Sequence, residues 1–194
     1  PAPLKIPTPP APKTRKGVAV RIVREVVFFE SLFHATKWTW LFGWLFHFAL
    51  LLAFFRHLRY ATDPVWFWVS WEIVQAAGHY AAYMMLLGLF GLLARRIFVD
   101  RVRHISAPSD YLILVLIIGI ALSGLLMKWY PTDIFALKQF FIGLIYFNWA
   151  ELPSDFMLLL HLGLVLLLMI IFPYSKLLHA PGLFFSPTRN QTDS

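Results

Sequence analysis

Four long apolar segments constrain the fold of this chain more than any other feature. They cover residues 38–55, 73–94, 111–127 and 156–174, and each approaches the ~20 residues that an α-helix needs to cross a hydrocarbon core. A chain of 194 residues, 59% of them hydrophobic, cannot bury so much apolar surface in a water-soluble fold. Lipid offers the backbone no hydrogen-bond partners, so such segments must be helical. The sequence therefore predicts an all-α integral membrane protein, an antiparallel bundle of four transmembrane helices.

Residues 134–149 are the ambiguous segment. They are apolar but short, and Lys138 and Gln139 interrupt them. An interfacial or re-entrant helix accounts for the shortness and the polar interruption, and a fifth span is the alternative.

The regions on either side of the bundle divide the chain further. Residues 1–17 are rich in Pro, Lys and Arg and predict an extended arm. Residues 18–36 set charged residues among apolar ones, which indicates an amphipathic helix lying on the membrane surface. A transmembrane domain over residues 37–180 and a tail over residues 181–194 complete the predicted organisation.

The distribution of basic residues orients the bundle. Thirteen of the 17 Lys and Arg residues fall in segments that four spans place on one side of the membrane. The other side receives Arg56, Arg59, Lys128 and Lys138. By the positive-inside rule, both termini then face the cytoplasm. The net charge of +7 is accordingly interpreted as membrane topology and not as a nucleic-acid interface.

Four of the seven histidines form two pairs at the first and last apolar segments. His47 and His57 are ten residues apart, about 15 Å of helix rise, and His161 and His179 are eighteen apart. With these spans antiparallel, His47 lies level with His179, and His57 lies level with His161. Facing imidazoles at two depths are the ligand arrangement of two bis-histidine haems. Because the chain has no cysteine, c-type attachment and thiolate-ligated clusters are excluded, and any haem is b-type.

This pairing carries a geometric tension, and the histidines also have a simpler interpretation. Ten residues place His47 and His57 about 80° apart around a helix, whereas eighteen place His161 and His179 on one face. Eighteen residues also rise about 27 Å, and a break at Pro173 is where we expect the difference to be absorbed. In the simpler interpretation each histidine makes a hydrogen bond between helices or, at the segment ends, faces water.

A family resemblance rests on the stretches FGWLFHFALLLAFFRHLRY, VRHISAPSDYLILVLI and FPYSKLLHAPGLFFSPTRNQTD. Together with the H-x9-H and H-x17-H spacings, they resemble the gamma subunit of respiratory nitrate reductase. They are more similar to a related family, the cytochrome b subunits of the membrane complex associated with dissimilatory sulfite reductase. The resemblance runs from about residue 20 to the C-terminus, and it implies a further span before the first one seen here. It also implies an inner haem b ligated by His47 and His179 and an outer haem b ligated by His57 and His161.

The resemblance further implies an electron-transfer subunit of a prokaryotic inner membrane, without an active site of its own for the terminal substrate. Electrons would pass between menaquinol and a cytoplasmic iron–sulfur partner related to heterodisulfide reductase, in dissimilatory sulfur metabolism. The implied complex includes a multihaem c-type cytochrome and a second membrane subunit. Two alternatives stay open: a haem b subunit of a nitrate reductase or another dehydrogenase, and a non-redox transporter or assembly subunit.

Polar residues near the predicted haem levels are candidates for secondary contacts. Arg103 near the inner haem, and Arg56 and Arg59 near the outer one, carry the charge to pair with haem propionates. Setting the membrane topology is their alternative role. His79 and Gln75 have the hydrogen-bonding groups that a quinone ring needs, and a hydrogen bond between helices is the alternative for both.

Overall fold

A computed structural model describes residues 14–130 and 132–179 of the chain. These residues contain helices and no β-strand, which confirms the all-α fold class. The tail and most of the Pro-rich arm lie outside the described residues. The α-helices of the described part are, in order, α1 (Arg15–Phe28), α2 (Glu30–Ala35), α3 (Lys37–His57), α4 (Glu72–Phe98), α5 (Asp100–His104), α6 (Pro108–Leu126), α7 (Ile134–Ile145) and α8 (Phe156–Ile171).

Four helical segments are long and apolar enough to cross a membrane, as predicted. They are Lys37–Tyr60, Glu72–Phe98, Pro108–Leu126 and Phe156–Tyr174. In the most apolar stretch of each, no more than 33% of the residues are buried inside the chain. Most of this apolar surface is therefore left for lipid or neighbouring subunits. α7 is 12 residues long, about 18 Å of rise, and is too short to span.

The core of the bundle lies where α3, α4 and α6 meet. Its buried side chains include Ala49 from α3, Leu89 from α4 and Ala121 from α6. Gly88 permits a close approach of the α3 and α4 backbones, because a Cβ atom there would stand 2.8 Å from the backbone oxygen of Phe42. Helices that meet backbone to backbone need such a small residue at the contact.

Ion pairs and hydrogen bonds join the connecting segments at each end of the bundle. Lys138 of α7 pairs with Asp63, in the segment after α3, at 2.7 Å. At the other end, Lys176 beyond α8 pairs with Asp110 at the start of α6, at 2.8 Å. The segments that follow α3 and α6 thus lie at one end of the bundle, and the segment that follows α8 lies with the start of α6 at the other, as expected for four antiparallel spans.

The predicted surface helix over residues 18–36 is divided into two in the structure. Phe29, between α1 and α2, has a left-handed backbone with φ 50°, which is uncommon for a residue other than glycine. The Glu25 carboxylate accepts hydrogen bonds from the backbone N–H of Ser31, at 3.2 Å, and from its hydroxyl. These bonds hold the turn, which nothing in the residue types around Phe29 signals.

Two tryptophans of α3 bind the end of α1. The indole N–H of Trp40 donates to the Phe28 carbonyl at 2.6 Å, and that of Trp44 donates to the Val27 carbonyl at 3.0 Å. Both carbonyls belong to the last turn of α1, where the helix supplies no partner. The helix break is thus stabilised by contacts with the first span.

The chain leaves the helical path after α8. A 3-10 turn over Phe172–Tyr174 contains Pro173, Ser175 is extended, and a second 3-10 turn covers Lys176–Leu178. The break predicted at Pro173 is present. The expectation that His161 and His179 share one helix face is wrong, because His179 lies beyond the helix. From His161 to Ile171, α8 covers ten residues, the same ~15 Å of rise that separates His47 from His57.

Candidate functional site

The structure brings the four histidines together in the two predicted pairs. The ring centroids of His47 and His179 lie 5.9 Å apart, and those of His57 and His161 lie 6.4 Å apart. Two imidazoles on opposite sides of one metal ion, each bonded at about 2.0–2.1 Å, would have centroids about 6.3 Å apart. Both separations fit one iron between two facing rings, and haem ligation itself stays a prediction.

The two histidines of α3 are oriented by their own helix. The Nδ1 atom of His47 lies 2.7 Å from the Gly43 carbonyl oxygen, and that of His57 lies 2.6 Å from the Ala53 carbonyl oxygen. A carbonyl oxygen only accepts, so Nδ1–H is the donor and Nε2 keeps its lone pair. This is the tautomer that ligates a metal through Nε2, with the second nitrogen held by the backbone.

The two opposing histidines have the same tautomer but different partners. His161 of α8 places its Nδ1 atom 3.1 Å from the Ile120 carbonyl oxygen and 3.0 Å from the Ser123 hydroxyl, both on α6. His179 places its Nδ1 atom 3.0 Å from the Lys176 carbonyl oxygen, three residues earlier in the chain. The orientation of His161 therefore depends on a neighbouring span, and that of His179 depends on a short 3-10 turn.

An Nδ1 bond to a carbonyl does not by itself mark a ligand. His104 makes the same bond to the Asp100 carbonyl, at 2.8 Å, and no histidine ring contact is found for it in the described residues. Those residues also contain no group of three or more His, Asp or Glu side chains that could hold a bare metal ion. A porphyrin supplies four nitrogen ligands of its own, so an opposed pair of histidines is sufficient for haem iron.

The turn residue Phe29 contacts one of the paired histidines. Its ring lies edge-on to His47, with centroids 5.0 Å apart and an interplanar angle of 87°. The break between α1 and α2 thus places the Phe29 ring beside the His47–His179 pair. The sequence carries no signal for this contact, since Phe29 has no glycine-like neighbour that would predict a turn.

A cluster of cations lies close to the His57–His161 pair. Arg56 donates to the Gln75 backbone carbonyl at 2.8 Å, and Arg59 approaches the Gln75 side-chain oxygen at 3.4 Å. Among the described residues, no carboxylate lies within ion-pair distance of Arg56, Arg59 or Lys128. The Nε atom of Arg59 is buried and has no hydrogen-bond partner there. This cluster has the charge and the free donor to receive an anion.

Lys128 links this cluster to α4. Its ammonium donates to the His79 backbone carbonyl at 2.8 Å and lies 4.6 Å from the centroid of the Tyr83 ring. Burial, and next the positive charge of Arg56, lower the pKa of Lys128. The His79 ring is exposed and packs edge-on against Tyr80, at 5.3 Å between centroids. Of the two predicted quinone contacts, the structure joins the Gln75 side chain to the cluster and leaves the His79 ring facing outward.

Arg103, the third predicted propionate contact, is already paired. It binds Asp100 at 2.7 Å in an exposed pair, with side chains 56% and 79% accessible. The basic groups that the structure joins to the His179 segment are Lys176 and, through Asp110, Arg96. Sequence reasoning missed this network, because its members are separated by up to 80 residues along the chain.

Comparison with known proteins finds relatives among the subunits of oxidoreductases. Residues 30–190 match the family described as nitrate reductase gamma subunit. The Hdr-like menaquinol oxidoreductase cytochrome b-like subunit of Archaeoglobus fulgidus is 37% identical over 206 residues, and that of Archaeoglobus profundus is 32% identical over 210. Each alignment covers 93% of this chain and 62% of the relative, so the chain spans less than two thirds of their length. The respiratory nitrate reductase 1 gamma chain of Escherichia coli is 29% identical over 152 residues, covering 70% of this chain and 68% of that protein.

Proposed function

The chain belongs to the nitrate reductase gamma subunit family, and we propose that it is the di-haem cytochrome b subunit of a membrane quinol oxidoreductase complex. The observation that carries the proposal is the opposition of two histidine pairs, at 5.9 and 6.4 Å between ring centroids. Haem b bound there would supply one-electron transfer. The part played by the protein is to present four imidazoles whose Nδ1 hydrogen bonds fix the direction of Nε2.

The cationic cluster supports a propionate site at the outer haem, the one assigned to His57 and His161. Arg56 and Arg59 carry charge that no carboxylate of the described residues neutralises. The buried Nε–H of Arg59 has no hydrogen-bond acceptor among the described residues, and a propionate oxygen could accept a hydrogen bond from it. Arg103 is the weaker candidate for the inner haem, because Asp100 already neutralises it.

The quinone site that we propose lies at Gln75 and His79. The exposed ring of His79 faces the surroundings from which a quinol would arrive, and it can accept a proton from a quinol hydroxyl. Gln75 contacts both arginines of the cluster, Arg56 through its backbone carbonyl and Arg59 through its side-chain oxygen, and these contacts support its assignment to the proposed site.

For the complex as a whole we propose an exchange of electrons between menaquinol and a cytoplasmic iron–sulfur subunit related to heterodisulfide reductase. The names of the two archaeal relatives, Hdr-like menaquinol oxidoreductase subunits, support this assignment. We further propose that this complex is the one associated with dissimilatory sulfite reductase, with a multihaem c-type cytochrome and a second membrane subunit. We propose a prokaryotic inner membrane as the location of this multi-pass chain, and the bias of basic residues supports an orientation with both termini in the cytoplasm.

A second candidate is the gamma subunit of a nitrate reductase. The 29% identity to the Escherichia coli gamma chain favours it, over 68% of that protein. Purification of the complex from its own membranes and identification of the soluble subunit that accompanies the chain would separate the two candidates.

Haem content and its loss on substitution test the proposal. The purified complex should contain two haem b per chain by the pyridine haemochrome method, and a chain without haem would refute the assignment. His57→Ala and His161→Ala should remove one and the same haem, whereas His47→Ala should remove the other.

The matched control is His104→Ala. This residue has the same Nδ1 bond to a backbone carbonyl, but no histidine of the described residues faces it, so the variant should keep both haems. If His57→Ala and His161→Ala removed different haems, the pairing would be overturned.

A further inference from the structure

The two histidine pairs are supported in different ways. His47, His57 and His161 lie on spanning helices, whereas His179 follows the end of the last one. The 3-10 turn that leads to His179 begins at Lys176, whose carbonyl accepts the Nδ1–H of His179 at 3.0 Å. The position of that carbonyl decides the direction of the His179 ring, and in the described residues the carbonyl belongs to the short turn Lys176–Leu178.

Asp110 anchors the turn from the neighbouring span. Its carboxylate is 7% exposed and lies 2.8 Å from the Lys176 ammonium and 3.6 Å from the Arg96 guanidinium. The same carboxylate accepts the backbone N–H of Ala107 at 3.0 Å, which caps the start of α6. Arg96 is itself held by the Ser106 hydroxyl at 2.7 Å. Two groups, the Arg96 guanidinium and the Ala107 N–H, therefore hold the carboxylate in addition to Lys176.

We infer that Asp110 is a positioning residue for His179, which it orients by binding Lys176. The inference rests on the proposed function, since it concerns the ligand of the inner haem. The Lys176 side chain is 67% exposed, and the residue makes two contacts. Its ammonium binds Asp110 of α6, and its backbone carbonyl accepts the hydrogen bond from the His179 imidazole. In the described part of the chain, the Nδ1 atoms of the His57–His161 pair are bonded to helical carbonyls and to Ser123, and not to a residue that an ion pair holds.

Asp110→Asn is the variant that isolates the charge. The amide keeps an oxygen that can accept from Ala107, so the start of α6 stays capped while both ionic contacts are lost. In the full complex we expect the inner haem alone to change, with about 10- to 100-fold weaker retention and an altered low-spin EPR signal. The outer haem should keep its signal and its midpoint potential. His179→Ala and His161→Ala assign the two signals beforehand.

Two further variants test the path through Lys176. Lys176→Met should reproduce the effect of Asp110→Asn, and Lys176→Arg should restore the wild-type inner signal, since it keeps the ion pair. Asp63→Asn is the matched control, because it breaks the ion pair with Lys138 by the same carboxylate-to-amide change. It should leave both haems as they are.

Several outcomes would overturn the inference. An unchanged inner haem in Asp110→Asn refutes it, and so does an equal disturbance of both haems, which would indicate a general loss of fold. If Asp110→Asn does not accumulate, Lys176→Met decides, because it alters a mostly exposed side chain. A wild-type complex without haem would refute the proposed function. If the wild type contains both haems and their signals are the same in all of these variants, only the positioning role is refuted.

Discussion

Gly124 offers a small and well-localised perturbation of the outer pair. It lies on α6 opposite His161, and a Cβ atom added there would stand 3.1 Å from the His161 Cε1 atom and 3.4 Å from Nδ1. Carbon atoms prefer about 3.5–4.0 Å, so Gly124→Ala requires the ring to give by a few tenths of an ångström. The ring is not free to do so, because Ile120 and Ser123 hold its Nδ1 atom.

The size of the effect follows from that overlap. Forcing a side chain away from its preferred rotamer by about 30° costs about 0.5–1.5 kcal/mol. If the strain falls on one oxidation state of the outer haem more than on the other, the midpoint potential shifts by at most about 20–65 mV, since 59 mV corresponds to about 1.4 kcal/mol for one electron. The fold should survive, because a small core overpacking costs about 1–3 kcal/mol.

A potentiometric titration of the haem absorbance, together with EPR of the oxidised complex, measures the effect. Gly119→Ala and Gly163→Ala are the matched controls. On α6, the added Cβ at Gly119 would lie 3.6 Å from a Leu164 methyl carbon, and at Gly163 on α8 it would meet nothing within 4 Å. A Gly124→Ala complex with an unaltered outer haem, or with an altered inner haem only, would refute the reasoning.

Three other outcomes are expected. The two rings of the His47–His179 pair are nearly perpendicular, at 88°, and those of the His57–His161 pair are nearly parallel, at 16°. EPR should therefore give a more anisotropic ferric signal for the inner haem than for the outer one, and two identical signals would contradict this. Trp44→Phe removes a hydrogen bond worth about 1 kcal/mol, so amide exchange at the end of α1 should accelerate about fivefold, while exchange in α4 stays constant. Arg59→Gln removes a positive charge that favours the reduced haem, so the outer midpoint potential should fall, and Arg103→Gln in its exposed pair should change it less; a rise would exclude Arg59 as a propionate partner.

Much of the fold could be predicted because the membrane imposes it. A span must be apolar over about 20 residues, so hydropathy alone locates four segments to within a few residues of their observed ends. The histidine pairs follow from antiparallel spans and equal depth, which need no side-chain detail. The spans and the histidine pairs could both be predicted because they depend on composition and on residue spacing, which can be read from the sequence without knowledge of tertiary contacts.

The features that sequence reasoning missed depend on contacts between distant segments. The break at Phe29 is held by Glu25 and by indole groups of α3, so no local pattern announces it. The Lys176–Asp110 pair joins residues 66 positions apart. One expectation was wrong for another reason: eighteen residues equal five helical turns, which suggested a shared helix face for His161 and His179, but α8 ends at Ile171, just before the break predicted at Pro173.

The exposure of α8 has a consequence for how the protein is assembled. In its most apolar stretch only 6% of the residues are buried within the chain, yet this helix carries His161 and leads to His179. Each proposed haem would therefore join the least embedded helix to α3, which is packed closely against α4 through Gly88. Iron–nitrogen bonds would thus link α8 to α3, in addition to the contacts that α8 makes with α6 through His161. Cells starved of haem should then contain a chain whose first three spans are folded and whose last span is open to proteolysis.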